Sequence, residues 1–383
     1  MSFRSNLVRW TAILVLPVAA SFAQGARFDF DFSTLKAVES KIELRHGNAA
    51  AIVNAIGGLQ DPDLAALEAF QNANRVIVER AMPSVVAVRV ERGQLPTRNM
   101  LPNKALALES SGFVIDSKGL VLCTAEGAVG QGPFRITFND GREYVARKLG
   151  ADELVSNLAL LELEGATNLT ALNLGNSDRA RPGDFAILVG GSRAGYTSSV
   201  TIGTIAGVDR MAIDPQKGRF MPLIQFNGLV GAGEPGSPIL NARGEVIGVL
   251  SGALAALDPD GRPLNMQTQT IASTGFAVPS NMVTRVVDQI KRTGKVQYAV
   301  LGLKYNNAPR GGALVLEVVV GGPAAKAGIK AEDVIVEFDG RSTPNVAELT
   351  KMLYAARPNS QVTITVLRNG VRQPVTVRLG VAP

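Results

Sequence analysis

Across residues 85–278 the chain is cut into short apolar runs by glycines and other turn formers, and few folds accept that pattern. Val86-Val88-Val90, Phe113-Val114-Ile115, Leu158 to Leu163 and Val246-Ile247-Gly248-Val249 each suit a strand and are too short for a helix. With 40 Gly and 20 Pro to supply turns, the stretch predicts an all-β barrel or sandwich. It is too long for one small barrel and sufficient for two. Helical periodicity brackets it. Upstream, Asp61-Pro62 offers an N-cap followed by proline in the first turn, and Leu64, Leu67 and Phe70 recur at helical spacing until Pro83. Downstream, Asn281 is placed to cap a helix that turns Val283, Val286, Val287 and Ile290 inward and ends at Gly294.

A second unit begins near Tyr298. It holds strands over 314–319 and 334–338, and a hairpin pairing Val362-Ile364-Val366 with Val375-Val377-Leu379 across Asn369-Gly370. One helix opens at Pro323 and ends at Gly328. Another is capped by Asn345, with Glu348 three residues on, and stops before Pro358. The expectation is a mixed α+β module.

A single Cys excludes an intrachain disulfide and a Cys-based zinc site, and a single His excludes a multi-histidine metal centre, so no metal or cofactor is expected. Arg4 and Arg9, then an apolar run over 10–20, then Ser21-Phe22-Ala23 read as a secretory signal cleaved after Ala23. An uncleaved membrane anchor is the alternative; Pro17 and a run shorter than about 20 residues count against it. The mature chain is then exported, soluble and periplasmic. Its net charge falls from +6 to +4 with the loss of those two arginines. From Tyr298 onward there are ten Lys/Arg against six Asp/Glu, so the C-terminal module carries the whole excess. That favours anionic ligands and is no nucleic-acid footprint.

Ser111-Gly112-Phe113-Val114-Ile115-Asp116, Leu174-Gly175-Asn176-Ser177-Asp178 and Pro182-Gly183-Asp184 resemble the HtrA/Deg family of exported serine proteases. So do Gly275-Phe276-Ala277-Val278-Pro279-Ser280-Asn281 and Gly322-Pro323-Ala324-Ala325-Lys326-Ala327-Gly328. The resemblance runs from about Pro83 to Leu379, with the motifs in family order. It implies a mainly β chain: a chymotrypsin-like double β-barrel over 83–293 and an α+β PDZ domain over 298–383, after an N-terminal extension and helix over 24–82. It also implies a homo-oligomer, usually a trimer, that degrades or holds misfolded exported proteins. Phe28, Phe30 and Phe32 loosely resemble the aromatic residues by which such trimers associate; an ordinary barrel-edge strand is the alternative.

The family's catalytic positions are where this chain departs. The histidine motif reads Leu122-Cys123-Thr124-Ala125-Glu126-Gly127, with Glu126 at the histidine position. The acid motif reads Asn157-Leu158-Ala159-Leu160-Leu161, with Asn157 in place of aspartate. The nucleophile motif reads Gly233-Glu234-Pro235-Gly236-Ser237-Pro238-Ile239, with Pro235 in place of serine. Serine acyl transfer needs a hydroxyl, a base of near-neutral pKa, a group that orients the base, and donors for the oxyanion. Proline has neither hydroxyl nor N–H, which leaves the Gly233 amide as the one vestigial oxyanion donor; losing one donor alone typically costs about 10²–10³ in rate. Glu126, with an ordinary pKa of about 4.3, is a poor base and has no nucleophile opposite it.

Four other residues carry groups capable of chemistry: Ser237, His46, Cys123 and Glu126. Ser237 as nucleophile needs compensating insertions on both flanks and reads instead as a turn hydroxyl. His46 precedes the first barrel and reads as a surface or interface residue. Cys123 reads as a small buried hydrophobe rather than a reactive thiol. Glu126 is expected to be solvated or paired with Asn157, a new binding role being the alternative.

The PDZ motifs are better kept. Resemblance implies that Val300-Leu301-Gly302-Leu303 accepts a terminal carboxylate on its amides, the peptide adding as a strand beside Lys304-Tyr305. Leu301 and Leu303, with Leu349, Met352 or Leu353, are the candidates to receive the last ligand side chain; for the helix positions, ordinary core packing is the alternative. The expected function is that of an exported pseudoprotease that binds C-termini or extended segments of envelope proteins as scaffold, holdase or regulator, with an active HtrA relative as a possible partner. The alternatives are an HtrA-type serine endopeptidase in periplasmic quality control and a peptide-responsive stress sensor.

Overall fold

The computed structural model describes residues 61–90, 109–153, 155–193, 196–213, 220–231, 233–253 and 271–382. The signal segment, Phe28, Phe30, Phe32 and His46 lie outside the described residues. Residues 71–383 form one compact unit, and residues 61–70, the first part of helix α1 (Asp61–Ala81), fall outside it. The described residues are helical from Asp61 onward. Leu67 and Phe70, at helical spacing along it, are exposed.

Strands β1 (Val85–Val90), β2 (Glu109–Val114), β3 (Leu120–Thr124), β4 (Phe134–Phe138), β5 (Glu143–Asp152) and β6 (Leu158–Leu163) close an antiparallel barrel in the order β1-β2-β3-β6-β5-β4. A second closed barrel holds β7 (Phe185–Arg193), β8 (Tyr196–Ile213), β9 (Phe220–Gly231), β10 (Pro238–Leu240), β11 (Val246–Ala253) and β12 (Ile271–Pro279), ordered β10-β11-β12-β9-β8-β7.

Side-chain alternation explains why several strands read as unbroken apolar runs. In β3, Val121 and Cys123 fill the first barrel while Leu122 faces the layer between the barrels. In β6, Ala159 and Leu161 point in and Leu158 and Leu160 point to that same layer. β7 does likewise from the other side, with Ala186 and Leu188 inside the second barrel and Ile187 and Val189 between the two. A strand buried on both faces has no polar face to show. Each such leucine removed from water contributes roughly 2 kcal/mol. The barrels also touch backbone to backbone: a Cβ added at Gly191 on β7 would lie 1.9 Å from the Val86 carbonyl oxygen on β1. Only glycine allows that approach.

Helix α2 (Ser280–Thr293) follows β12 directly and inserts Val283, Val286, Val287 and Ile290 into the inter-barrel layer. Its N-cap is Pro279 rather than Asn281. The chain passes from strand to helix with no intervening loop, so Asn281 already lies in the first turn and its side-chain amide donates to Asn176 Oδ1 at 2.9 Å. Ser280 Oγ donates to the Gly175 carbonyl at 2.6 Å. Gly294 ends the helix in the left-handed conformation at φ 70°.

The C-terminal module contains β13 (Ala299–Val300), β14 (Leu303–Asn307), β15 (Ala313–Val318), α3 (Pro323–Ala327), β16 (Val334–Phe338), β17 (Arg341–Ser342), α4 (Val346–Ala355), β18 (Gln361–Arg368), β19 (Val371–Arg378) and β20 (Gly380–Val381). Its sheet runs β14-β15-β16-β18-β19, so β14 is an edge strand. The hairpin register puts Arg368 opposite Val371 across Asn369-Gly370, as the turn residues predict. Asn345 Oδ1 accepts the Glu348 amide at 2.9 Å, the expected cap of α4.

One buried ion pair anchors this module. The Arg368 fork donates to both oxygens of Asp333 at 2.7 Å, and the Lys330 amide adds a third bond at 2.8 Å. Burial pushes the Asp333 carboxyl up, but the Arg368 bonds and the Lys330 amide outweigh it and hold the carboxyl below the usual range. A lowered native pKa supplies stability that is complete above the unfolded value of about 3.9 and is lost as pH falls through the native value. Asp333→Asn is therefore expected to cost about 2–3 kcal/mol at pH 7 and progressively less below about pH 4. Urea midpoints of both proteins across that range provide the measurement.

Candidate functional site

Three segments meet where the barrels face each other. The first is the turn after β3. The Ala125 amide donates to the Asn157 carbonyl at 2.9 Å, the Glu126 amide to Asn157 Oδ1 at 3.2 Å, and the Gly127 amide to Thr124 Oγ1 at 3.1 Å. The Glu126 side chain is exposed. The second is the loop before β6, where Asn157 sits in the left-handed region at φ 55°. Asparagine tolerates that conformation better than most residues, and its amide oxygen tethers the turn after β3. Positions 126 and 157 are thus joined through the Glu126 backbone, while the Glu126 carboxylate points to solvent.

The third segment is the turn between β9 and β10. The Pro235 carbonyl accepts the Ser111 amide of β2 at 2.9 Å, and the Gly236 amide donates to the Leu250 carbonyl at 2.7 Å. Gly236 has φ +94°, and a Cβ there would stand 1.9 Å from the Ser111 carbonyl oxygen and 3.3 Å from the Thr124 amide nitrogen. Nothing larger than glycine fits. Ser111 Oγ ties the barrels further, donating to the Gly233 carbonyl at 2.8 Å and accepting the Gly191 amide at 3.0 Å. Glu234 is 1% exposed; its carboxylate accepts the Gly231 amide at 2.5 Å and the Ser199 hydroxyl at 2.8 Å. A buried carboxylate therefore fastens the turn that carries Pro235.

The remaining candidates are closed to substrate. Ser237 closes the turn through its amide, which donates to the Glu234 carbonyl at 2.9 Å, while its Oγ is fully buried and makes no hydrogen bond among the described residues. Cys123 is fully buried, and burial pushes its thiol up to about 12, with Lys148 lowering it slightly. No group of His, Cys, Asp and Glu side chains suited to a metal ion occurs among the described residues.

The peptide-binding candidates divide. Val300 ends β13, and Gly302 takes φ +72° at the entry to β14. Leu301, Leu349, Met352 and Leu353 are buried in the core of the C-terminal module, the packing role weighed against a pocket role. Leu303 is half-buried beside Tyr305. Burial pushes the Tyr305 phenol above its ordinary pKa, and Thr350 of α4 is close enough to lower it in part. Sequence reasoning missed this contact between β14 and α4.

A second contact had no sequence signal. Asp152 Oδ2 accepts the Tyr298 hydroxyl at 2.5 Å, the Ser156 hydroxyl at 2.6 Å and the Ser156 amide at 2.8 Å, while Oδ1 accepts the Val155 amide at 3.2 Å. The Tyr298 ring packs against Tyr354 of α4 at a tilt of 53°, with ring centroids 4.7 Å apart. Burial and the Asp152 charge push the Tyr298 phenol far above its ordinary pKa, so it remains a neutral donor.

Residues 110–249 match the trypsin-like peptidase domain model and residues 289–379 the PDZ domain model. The chain is 32% identical over 333 residues to the periplasmic pH-dependent serine endoprotease DegQ of Escherichia coli, covering 79% of this chain and 69% of that protein. It belongs to the HtrA/Deg family. A probable periplasmic DegP-like serine endoprotease of Chlamydia pneumoniae is 31% identical over 296 residues, covering 74% of this chain and 57% of that protein. The HtrA-type protease AlgW, solved with a tripeptide, superposes with a TM-score of 0.63 at 26% identity, covering 80% of this chain and 96% of that one. AlgW with a decapeptide gives 0.60 at 25% identity. The double barrel followed by a PDZ domain is thus the shared architecture of this HtrA-type chain and its relatives.

Proposed function

We propose that this chain is a non-hydrolytic HtrA-type protein that binds peptide ends through its PDZ domain. The observation that carries the reading is Pro235 on the turn between β9 and β10, at the family's nucleophile position. Its ring nitrogen offers no hydrogen to an oxyanion, and its side chain has no oxygen to acylate. Glu126 and Asn157 at the other two positions form a structural tether between turn and loop, not a base and its orienter. Ser237, the alternative hydroxyl on the same turn, is sealed in the interior. The expected periplasmic location belongs to this proposal, supported by the relatives' names and by the N-terminal sequence; so does the homo-oligomeric assembly that the family resemblance implies.

The binding half of the reading rests on β14. As an edge strand it has backbone groups available for an added strand, which supply affinity with little demand on side chains. The turn at Gly302 would receive the terminal carboxylate. The rival reading, a serine endopeptidase, is favoured by the names of the relatives, which are serine endoproteases.

One experiment separates the two. The full mature chain is incubated with a library of peptides bearing free C-terminal carboxylates, binding is read by fluorescence polarisation, and the peptides are then examined by mass spectrometry. Bound peptides are expected to stay intact, and amidation of the terminus to weaken binding by about tenfold or more. Cleavage products would overturn the inactive reading, and a library with no binder would overturn the peptide-binding one.

A further inference from the structure

A cleft of about 420 Å³ lies between the second barrel and α4, bounded by the start of α2 on the barrel side and by β17 on the other. Pro222, Ile224 and Met352 give it an apolar floor. Two guanidiniums stand at it, Arg285 from α2 and Arg341 from β17. Neither makes a hydrogen bond or an ion pair among the described residues, although Asp178 is close enough to act on Arg285 through its charge.

The other cations at the cleft are committed. Lys351 pairs with Asp209 at 3.1 Å and with Glu348 at 2.7 Å. Arg181 Nη1 donates to the Asp178 and Ala180 carbonyls at 2.7 and 2.9 Å. Helix α2 also opens here, with no side-chain cap and no acid in its first turn, so its positive end is uncompensated apart from the Asn281 amide, which donates to Ser177 Oγ at 3.1 Å. Burial lowers the pKa of Arg285, Asp178 partly restores it, and Arg341 lowers it again. Two like charges from separate domains thus stand at one cleft; of the acids that line it among the described residues, Asp209 and Glu348 are taken by Lys351, and Asp178 acts on Arg285 through its charge alone.

We propose that the cleft binds an oxyanion bearing a short apolar body, the anion held between Arg285 and Arg341 and the body lying on Ile224 and Met352. Two guanidiniums offer the forked donors that phosphate and carboxylate oxygens fit. The volume suits a small ligand with an apolar portion. Such a ligand touches both the barrel and the PDZ domain. The site is separate from the β14 edge and does not depend on the peptide-binding reading.

Isothermal titration of the full mature chain with hexyl phosphate, inorganic phosphate and hexyl glucoside tests it. Hexyl phosphate is expected to bind at least about tenfold more tightly than either of the others. Arg285→Gln and Arg341→Gln are each expected to weaken hexyl phosphate at least about tenfold, with melting temperatures nearly unchanged because neither side chain has a hydrogen bond or ion pair to lose among the described residues. Equal binding of hexyl glucoside, equal binding of inorganic phosphate, or either variant binding like the parent overturns the proposal.

Discussion

Restoring serine at 235 alone is expected to leave casein uncut, whereas Glu126→His, Asn157→Asp and Pro235→Ser together are expected to produce measurable turnover. Members of a triad act as a unit, and losing nucleophile or base alone costs about as much as losing the whole set, on the order of 10⁶ in kcat. Serine at 235 returns a hydroxyl and a backbone N–H, but Glu126 remains a poor base with its carboxylate turned to solvent. The triple change supplies all three functions at positions the fold already brings together. Aspartate at 157 keeps an oxygen for the Glu126 amide bond. Recovery is expected to be partial, because Glu234 still fastens the turn through Gly231 and Ser199. A fluorogenic casein assay on parent, single and triple variants provides the measurement. Turnover by the parent, or by the single variant at the level of the triple, would refute the account.

The largest effect on stability is expected at Asp152. Truncation to alanine leaves the Tyr298 hydroxyl, the Ser156 hydroxyl and two amides in an interior where none can reach water easily. Each orphaned donor costs about 1–3 kcal/mol, and partial relaxation places Asp152→Ala at about 3–5 kcal/mol. Tyr298→Phe removes one donor only and is expected to cost about 1–2 kcal/mol. Urea unfolding followed by near-ultraviolet circular dichroism distinguishes the two. A loss at Asp152→Ala no greater than at Tyr298→Phe would show that the loop amides find other partners.

Much of the fold was legible because it follows local rules. Short apolar runs marked β1, β2, β6 and β11, Asn369-Gly370 fixed the last hairpin, and Asn345 with Glu348 marked the start of α4. Asn281 misled because a good capping residue says nothing about where the preceding strand stops; Pro279 ends β12 and opens α2 at once. The positions proposed for the triad rest on family motifs that flank them at fixed spacing. The state of their surroundings could not be read in that way. That Glu234 is buried, that Ser237 is sealed and that Tyr298 reaches Asp152 depend on segments far apart in the chain. No periodicity encodes such contacts. Likewise, helical spacing puts Leu349 and Leu353 on one face of α4 without saying whether that face meets a ligand or the module's own core.

The lone thiol of this chain, Cys123, lies inside the first barrel with its sulfur directed at the Ala159 carbonyl. In an oxidising compartment an unpaired surface sulfhydryl invites cross-linking between copies or capture by a thiol oxidase. Sealed behind closed strands, this one meets neither fate while the barrel stays shut.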